Sequence, residues 1–301
     1  MAANNDKALE DQVHKLTLTS ESEQITNLEA IFISHVMTIS GKKMSKEYWD
    51  GPYYDYLKAR VEEANSLSLT ESEIIPADIK IPSDATYKFF VDQLKPKANN
   101  SVLDLGCGFG RTFPILFDFD LFVSGIDISK KMIREAEAQF TGNENLVDLK
   151  VGPAEELPYE NESFDYLVCF GTFDSTQQNH SLAEAIRVLK LGGTACISGK
   201  NFNYCNTDNK AFEAELGAKS KGHPNSFTYY DKMCGQLTQN GVSIVNEMFF
   251  VNRGDTTSLK TMCEQPPQFY EYTIYLRKLS EKPCVFSDIH SPVSSRFINE
   301  L

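Results

Sequence analysis

The sequence predicts an α/β fold built around a mostly parallel β-sheet. From about Ala85 onward, short apolar runs alternate with stretches whose apolar residues recur at helical spacing, and this alternation is typical of βαβ units. The first apolar run, residues 101–105, leads into three glycines at alternate positions, Gly106, Gly108 and Gly110. Glycines at the carboxyl end of a buried strand allow a tight turn and a close approach of ligand to backbone, as at the nucleotide-binding edge of open α/β sheets.

The composition fits one large globular domain with additions and makes some classes of binding partner improbable. The chain has 301 residues, of which 41% are hydrophobic and 24% charged, and its formal net charge is −13. This acidity disfavours a nucleic-acid backbone or an anionic membrane as partner, because both require clustered Lys and Arg. The seven cysteines show neither zinc-ligand spacing nor a disulfide framework. Since there is also no membrane-length apolar run and no signal-peptide pattern, we expect a cytoplasmic protein with no nucleic-acid and no membrane partner.

Strands and helices are predicted in a regular order. The apolar runs predict strands at residues 101–105, 122–127, 147–151, 164–170, 194–199, 242–251 and 270–276, and the periodic stretches predict helices at residues 87–94, 110–117, 130–140, 181–191 and 230–239. Ser129 is a candidate N-cap, and Gly192-Gly193 is a candidate stop signal for the helix at 181–191. Because no convincing helix separates the last two strands, we expect the sheet to end with an antiparallel strand.

The first 84 residues differ in pattern from the rest of the chain, and we assign them to an N-terminal extension of a domain at residues 85–280. Residues 25–39 have the apolar spacing of a packed helix. An aromatic cluster at residues 48–56 holds the single tryptophan, and Gly51-Pro52 is expected to break it into two pieces. Residues 62–84 are predicted to be a connector, residues 201–225 a polar insertion and residues 281–301 a C-terminal tail.

Asp127 is the second candidate for a ligand-binding role, after the glycine loop. It ends the predicted strand at residues 122–127, a little under 20 residues beyond the last glycine of the loop. In dinucleotide-binding folds an acidic residue at this position accepts hydrogen bonds from ribose hydroxyls. The alternative is a helix N-cap, although Ser129 could serve as the cap equally well.

The glycine spacing separates two kinds of cofactor. A nicotinamide fingerprint has the pattern G-x-G-x-x-G, whereas here Gly106, Gly108 and Gly110 alternate and Asp104 precedes them within the strand. This form resembles motif I of the class I S-adenosylmethionine-dependent methyltransferases. Three further segments match that family in the correct order: Asp127, residues 152–159 followed by 163–165, and residues 187–193. The resemblance covers about residues 85–279, and its one minor departure is Leu191 where many members have Pro.

The resemblance implies a fold and a cofactor site. The fold would be a Rossmann-like class I methyltransferase fold, with a seven-stranded, mostly parallel sheet, an antiparallel last strand and an N-terminal helical cap or lid. The cofactor would be S-adenosylmethionine, leaving S-adenosylhomocysteine as product, with no metal. The residues that would bind it are Asp104, Gly106, Cys107, Gly108, Gly110, Asp127, Ile128, Met132, Ala154, Glu155, Phe170 and Gly171. For Asp104 the alternative is a structural carboxylate bonded to loop amides.

The same resemblance locates the acceptor side. In that family, the segment after the fourth strand faces the transferred methyl group. Asp174 and His180 lie in the corresponding segment of this chain and are therefore the candidate catalytic bases. A base is needed only for a poorly acidic hydroxyl or a protonated amine. His180 could instead be a surface residue at a helix start. The lid and substrate side would comprise Tyr48, Trp49, Tyr53, Tyr54 and His223; the alternatives are that the rings pin the segment to the domain and that His223 is an exposed loop residue.

We therefore expect transfer of a methyl group to an oxygen or nitrogen of a small metabolite. No Asn- or Asp-Pro-Pro-Tyr follows the fourth strand, and no convincing Asp/Asn constellation for Mg²⁺ is present. Two alternatives stay open: a methyltransferase that acts on a protein or peptide, and an inactive cofactor-binding protein that serves as a scaffold or partner. The sequence does not predict the oligomeric state.

Overall fold

The computed structural model describes residues 48–68, 82–205, 208–220 and 223–292. The strands within them are β1 (Ser101–Leu105), β2 (Phe122–Asp127), β3 (Leu146–Val151), β4 (Phe164–Cys169), β5 (Leu189–Lys200), β6 (Ser226–Thr228), β7 (Val242–Phe250), β8 (Glu271–Lys278) and β9 (His290–Pro292). The helices are α1 (Tyr54–Ser68), α2 (Asp84–Gln93), α3 (Phe113–Phe117), α4 (Lys130–Phe140), α5 (Gln178–Val188), α6 (Asn209–Ser220) and α7 (Tyr230–Gln239). The helix predicted at residues 25–39 lies outside the described residues.

Seven strands form the main sheet, in the order β3-β2-β1-β4-β5-β8-β7. The five strands from β1 to β5 pair in parallel, whereas β8 is antiparallel to both β5 and β7. The predicted mostly parallel sheet with an antiparallel last strand is therefore confirmed, and all seven predicted strands are present. Because the first five strands are parallel, their carboxyl ends share one edge of the sheet, where loops and helix N-termini meet.

A hydrophobic core lies on each face of the sheet. Successive side chains of a strand point to opposite faces, and accordingly Leu103 belongs to one apolar cluster while Val102 belongs to the other. Helices α5 and α7 pack on the first face, and α2, α3 and α4 pack on the second. This three-layer arrangement holds the carboxyl ends of the parallel strands in fixed positions beneath the loops that follow them.

Two predictions at element boundaries were wrong. Gly51-Pro52 does not break the aromatic cluster, because a π turn at Trp49–Tyr53 takes in Pro52 and continues directly into α1. Gly192-Gly193 does not end a helix either. Helix α5 stops at Val188, and the glycine pair lies within β5, where the register against β4 shifts; the φ of +81° at Gly192 suits such a bulge.

Two further elements differ from the predictions. The polar insertion contains helix α6, which the sequence did not indicate. Strands β6 and β9 form a separate two-stranded antiparallel sheet. No helix among the described residues is both long enough and apolar enough to cross a membrane. The proposed division at residues 84/85 and 280/281 stays a prediction.

Candidate functional site

A cavity of about 1030 Å³ lies at the carboxyl edge of the parallel strands. The glycine loop, the ends of β2, β4 and β5, the start of α1, helix α6 and the loop after β7 contribute to its walls. Sixteen of the predicted site residues line it: Asp104, Gly106, Cys107, Gly108, Asp127, Ile128, Met132, Ala154, Glu155, Phe170, Gly171, Asp174, Tyr48, Trp49, Tyr53 and His223. Gly110, Tyr54 and His180 are not among the lining residues.

The glycine loop owes its shape to the absence of side chains. Gly106 has a φ of +78°, and a Cβ there would lie 2.2 Å from Oγ1 of Thr172, so no other residue fits without displacing the segment after β4. Gly110 has a φ of +82° and packs against two phenylalanine rings, which a Cβ would approach to 2.7 Å. Gly110 therefore shapes the loop from behind and does not face the cavity.

The Asp127 carboxylate is held by backbone amides at the end of β2. Its Oδ2 accepts a hydrogen bond from the Gly108 N–H at 3.0 Å, and its Oδ1 accepts one from the Ser129 N–H at 2.8 Å. Ser129 is the N-cap of α4, since its hydroxyl accepts the Met132 N–H at 3.2 Å. Burial raises the pKa of Asp127 to about 6; the two amides lower it and the Asp50 charge raises it. The residue thus fixes the glycine loop and remains partly exposed to the cavity.

Asp104 lies beneath the same loop and is almost fully buried. The Thr112 hydroxyl donates a hydrogen bond to its carboxylate. The expected alternative, a carboxylate bonded to loop amides, is not what the described residues contain. Burial raises the pKa of Asp104 to about 7, the Thr112 bond lowers it, and the charge of Asp127 raises it further.

One end of the cavity is mostly apolar. Ile128 and Met132 follow β2, and Ala154 follows β3. The neighbouring Glu155 has a second task, because its Oε1 accepts the Gln177 N–H at 2.7 Å just before α5. This end can hold a flat apolar ring between side chains from two successive strands.

The remaining predicted wall residues are packed in different ways. Cys107 is buried, and burial raises the pKa of its thiol well above the ordinary value, so the thiol stays protonated and unreactive. Phe170 stacks on Tyr87, with ring centroids 4.9 Å apart. Gly171 has a φ of +63° and donates its N–H to the Ser198 hydroxyl at 3.0 Å.

The π turn and α1 form one continuous segment, residues 48–68, called the N-terminal helix below. Three aromatic side chains at its start surround His223. Its imidazole stacks on Tyr53 at 5.2 Å and meets Trp49 edge-on at 5.5 Å, and its Nδ1 lies 3.0 Å from the Tyr48 hydroxyl. Burial lowers the pKa of His223 to about 4; the Lys200 charge lowers it too, and nearby carboxylates oppose both. His223 is thus a neutral, largely enclosed residue and not the exposed loop histidine of the alternative.

The opposite side of the same helix is attached to α4. The Tyr54 hydroxyl donates to Glu135, and Nζ of Lys131 lies 3.7 Å from the centroid of the Tyr54 ring. Asp50 accepts hydrogen bonds from the Ser129 hydroxyl at 2.5 Å and from the Lys131 N–H at 2.9 Å. Tyr54 therefore pins the helix to the domain, while its neighbours form a wall of the cavity.

Asp174 belongs to a buried ionic network at the far end of the cavity. Nζ of Lys200 lies 3.0 Å from Oδ2 of Asp174 and 2.9 Å from Oε1 of Glu215. Glu215 also accepts hydrogen bonds from the Tyr270 hydroxyl and, at 2.6 Å, from Nδ2 of Asn225. Burial by itself lowers the pKa of Lys200, but the surrounding acidic groups raise it well above its ordinary value, so the ammonium stays charged.

His180 stands apart from these groups. It is exposed in the first turn of α5, and its Nδ1 lies 3.0 Å from Oε1 of Gln177. This position matches the alternative of a surface residue at a helix start.

Nothing in the sequence pattern marked Glu215 or Tyr270, whereas Lys200 could have been noticed, because it ends a parallel strand at the edge where ligands bind. Within the described residues no group of three His, Cys, Asp or Glu side chains could hold a metal ion.

Comparison with known proteins connects this geometry to a family. The model of a methyltransferase domain family matches residues 103–197. A phosphoethanolamine N-methyltransferase of Triticum aestivum is 33% identical over 161 residues, covering 52% of this chain and 30% of the relative. Ajmaline N-methyltransferase of Rauvolfia serpentina is 31% identical over 112 residues, covering 36% and 38%. The matched part therefore spans well under half the length of these curated relatives.

Solved structures agree on the fold. A Haloferax volcanii protein described as a methyltransferase and solved with the Trm112 activator has a TM-score of 0.54 and 17% identity, over 78% of this chain and 97% of that one. The [4+2]-cyclase SpnF has a TM-score of 0.52 and 16% identity, over 76% and 94%. Likeness at this identity concerns the fold alone, since one fold can host several reactions. Together, the matching domain model, the glycine loop and the strand order show that residues 103–197 lie in a domain of the class I S-adenosylmethionine-dependent methyltransferase type.

Proposed function

We propose that this protein transfers a methyl group from S-adenosylmethionine to an oxygen or nitrogen of a small metabolite. The observation that carries the proposal is a single cavity with two different ends. At one end lie the glycine loop and Asp127, and at the other lies Asp174 within its ionic network. Such a cavity can hold a cofactor and an acceptor side by side, which is what a direct transfer between them requires.

The residues at the first end fit the proposed cofactor. The Asp127 carboxylate, oriented by two amides, suits the two hydroxyls of a ribose, and the apolar side chains of Ile128 and Met132 suit an adenine ring. Aromatic faces attract cations, so Tyr53 would favour a sulfonium. When bound, S-adenosylmethionine supplies a methyl group that is already activated for displacement.

At the second end Asp174 is the candidate for proton acceptance. One of its oxygens is engaged by Lys200, and the other has no hydrogen-bond partner in the described part of the chain. Because Asp174 lines the cavity in the turn that follows β4, that oxygen could accept a proton from a hydroxyl as it attacks, or from an ammonium group before its nitrogen attacks. His180 has no part in this proposal, since it lies outside the cavity.

A small acceptor is favoured over a protein. The start of α1 and the insertion helix α6 both contribute walls to the cavity, and its volume of about 1030 Å³ suits small molecules. The names of the curated relatives point the same way, because phosphoethanolamine and ajmaline are small molecules.

Calorimetry with S-adenosylhomocysteine tests the cofactor half of the proposal. We expect the wild-type protein to bind S-adenosylhomocysteine and not NAD. Asp127→Ala should weaken that binding at least about tenfold, because two hydrogen bonds to a charged group would be lost.

Asp118→Ala is the matched control, since Asp118 is exposed and pairs with Lys88 on the surface. No heat of binding from folded wild-type protein would contradict the proposed function. Equal affinities for wild type and Asp127→Ala would limit Asp127 to holding the glycine loop.

A further inference from the structure

Among the residues that the structure describes, three lysine or arginine side chains line the cavity: Arg111, Lys200 and Arg253. Two of them are neutralised within the protein. Nε of Arg111 pairs with Asp84 at 2.6 Å, and its Nη2 donates to the Pro82 carbonyl at 2.6 Å. Lys200 lies between two carboxylates. A negatively charged ligand would therefore find these two cations already engaged.

Arg253 is different. Its guanidinium has no hydrogen-bond or ion-pair partner among residues 48–68, 82–205, 208–220 and 223–292, although the side chain is half-buried and faces the cavity. Its backbone, in contrast, is fixed, because the Arg253 N–H donates to Oδ2 of Asp208 at 2.8 Å. The other oxygen of Asp208 accepts the Ala211 N–H at the start of α6. The loop that carries Arg253 is thus tied to the insertion helix.

The surroundings of Arg253 suit an oxyanion. Thr256 and Thr257 are buried on the same stretch of wall, and the hydroxyl of Thr257 has no partner in the part of the chain that the structure describes. The hydroxyl of Thr256 donates to Glu271, which lies within electrostatic range of Arg253 but beyond ion-pair distance. A partly desolvated guanidinium without an ion-pair partner is costly, and its planar donors match a carboxylate or a phosphate in two-pronged geometry.

We propose that Arg253 binds an anionic group, a carboxylate or a phosphate, of the methyl acceptor. The acceptor is then a small acid that places its anion at Arg253 and its nucleophilic oxygen or nitrogen toward Asp174. This inference rests on the proposed function, and it narrows the acceptor to hydroxy or amino compounds that carry an acid group.

The experiment uses the full chain and two simple probes, inorganic phosphate and acetate, with chloride to keep the ionic strength constant. The thermal unfolding midpoint is followed against probe concentration, with and without S-adenosylhomocysteine, for wild type, Arg253→Gln and Arg253→Lys. Arg277→Gln is the matched control, because Arg277 is exposed and outside the cavity.

We expect a saturable rise in the midpoint with at least one probe for wild type and Arg277→Gln. The half-saturating concentration should be at least about tenfold higher for Arg253→Gln, as expected for a lost charge-assisted contact, and intermediate for Arg253→Lys. Calorimetric affinity for S-adenosylhomocysteine should be the same for all four proteins. The stronger of the two probes identifies the anionic group as a phosphate or a carboxylate.

Three results would overturn the inference. One is a wild type without a saturable response, and another is an equal response from wild type and Arg253→Gln. The third is a loss of S-adenosylhomocysteine affinity in Arg253→Gln alone, which would assign the residue to the cofactor. If none of the four proteins binds S-adenosylhomocysteine, the proposed function fails, and the response to the probes alone still decides whether Arg253 binds anions.

Discussion

At Asp174 the two oxygens of one carboxylate meet different surroundings. Lys200 engages Oδ2 at 3.0 Å, while the other oxygen has no hydrogen-bond partner among the residues that the structure describes. A fixed side chain with one available oxygen can take a proton from a nucleophile without a rearrangement during the reaction. An asparagine has nearly the same shape but cannot act as a base, which makes the role of Asp174 directly testable.

We predict that Asp174→Asn lowers kcat by about 10²- to 10⁴-fold, the usual contribution of a general base. The affinity for S-adenosylhomocysteine should stay unchanged, because Asp174 lies at the acceptor end. Release of S-adenosylhomocysteine is measured with the acceptor that a panel of hydroxy and amino acids and phosphates identifies. His180→Gln is the control and should keep full turnover. Full turnover by Asp174→Asn would mean that the acceptor reacts without a base and that positioning alone accounts for catalysis.

At the scale of single residues, the arrangement could be predicted where the determining contacts are close in sequence. The three glycines, Asp127 and the Ser129 cap all lie in the stretch from β1 to the start of α4, so their spacing alone indicates their arrangement. Lys200, Glu215 and Arg253 line one cavity because α6 and the loop after β7 fold back to the sheet edge. Local spacing does not indicate such long-range packing, so Glu215 and Arg253 were missed, whereas Lys200 could have been noticed from its place at the end of β5.

The N-terminal helix has two faces with different tasks. One face carries the rings that enclose His223, and the other is fastened to α4 through Asp50 and Tyr54. Because His223 also lies 3.4 Å from the Ser175 hydroxyl after β4, it connects this helix to the acceptor end. The charge of His223 should therefore control how firmly the helix covers the cavity.

We predict a change in Trp49 fluorescence centred near pH 4. Burial and the Lys200 charge lower the pKa of His223 from 6.5 to about 4, so the folded protein favours the neutral imidazole. Its contribution to stability is complete above pH 6.5 and is lost as the pH falls toward 4. Trp49 is the single tryptophan of the chain and contacts the imidazole, so its emission reports on this contact.

His223→Gln removes the titrating group and keeps a polar side chain, so its Trp49 emission should show no transition near pH 4. An identical transition in wild type and His223→Gln would assign the change to another group. Circular dichroism recorded over the same pH range separates local opening of the helix from unfolding of the whole chain.

At the scale of elements, the predicted boundaries were wrong where tertiary contacts override the local preference of helix-breaking residues. Gly51-Pro52 is a strong local breaker, yet the π turn accommodates it. Gly192-Gly193 has the composition of a helix stop, but pairing of Leu189 with Phe164 starts β5 earlier. Helix α6 has a weak apolar periodicity, and its position depends on contacts such as the Glu215–Lys200 pair, which are invisible in the sequence.

Across the whole molecule, the ionic network at Lys200 joins four separate parts of the fold. It connects the segment after β4, the end of β5, the insertion helix α6 and the start of β8 through Asp174, Glu215 and Tyr270. The sheet order that brings these parts together could be predicted as a fold class. The network itself could not, because it depends on how long loops pack over the edge of the sheet.

We predict that Lys200→Met destabilises the protein by about 3–5 kcal/mol, since it leaves two carboxylates in a buried site without their counter-charge. Lys190→Met is the matched control in the same strand: it breaks the Lys190–Asp165 pair, whose lysine is 44% exposed, and should cost at most about 1 kcal/mol. Urea unfolding measures both. In the Lys200→Met background, Glu215→Gln should cost less than in wild type, with a coupling energy of about 0.5–3 kcal/mol. Equal losses for the two lysine variants, or no coupling, would mean that this network does not hold the four parts together.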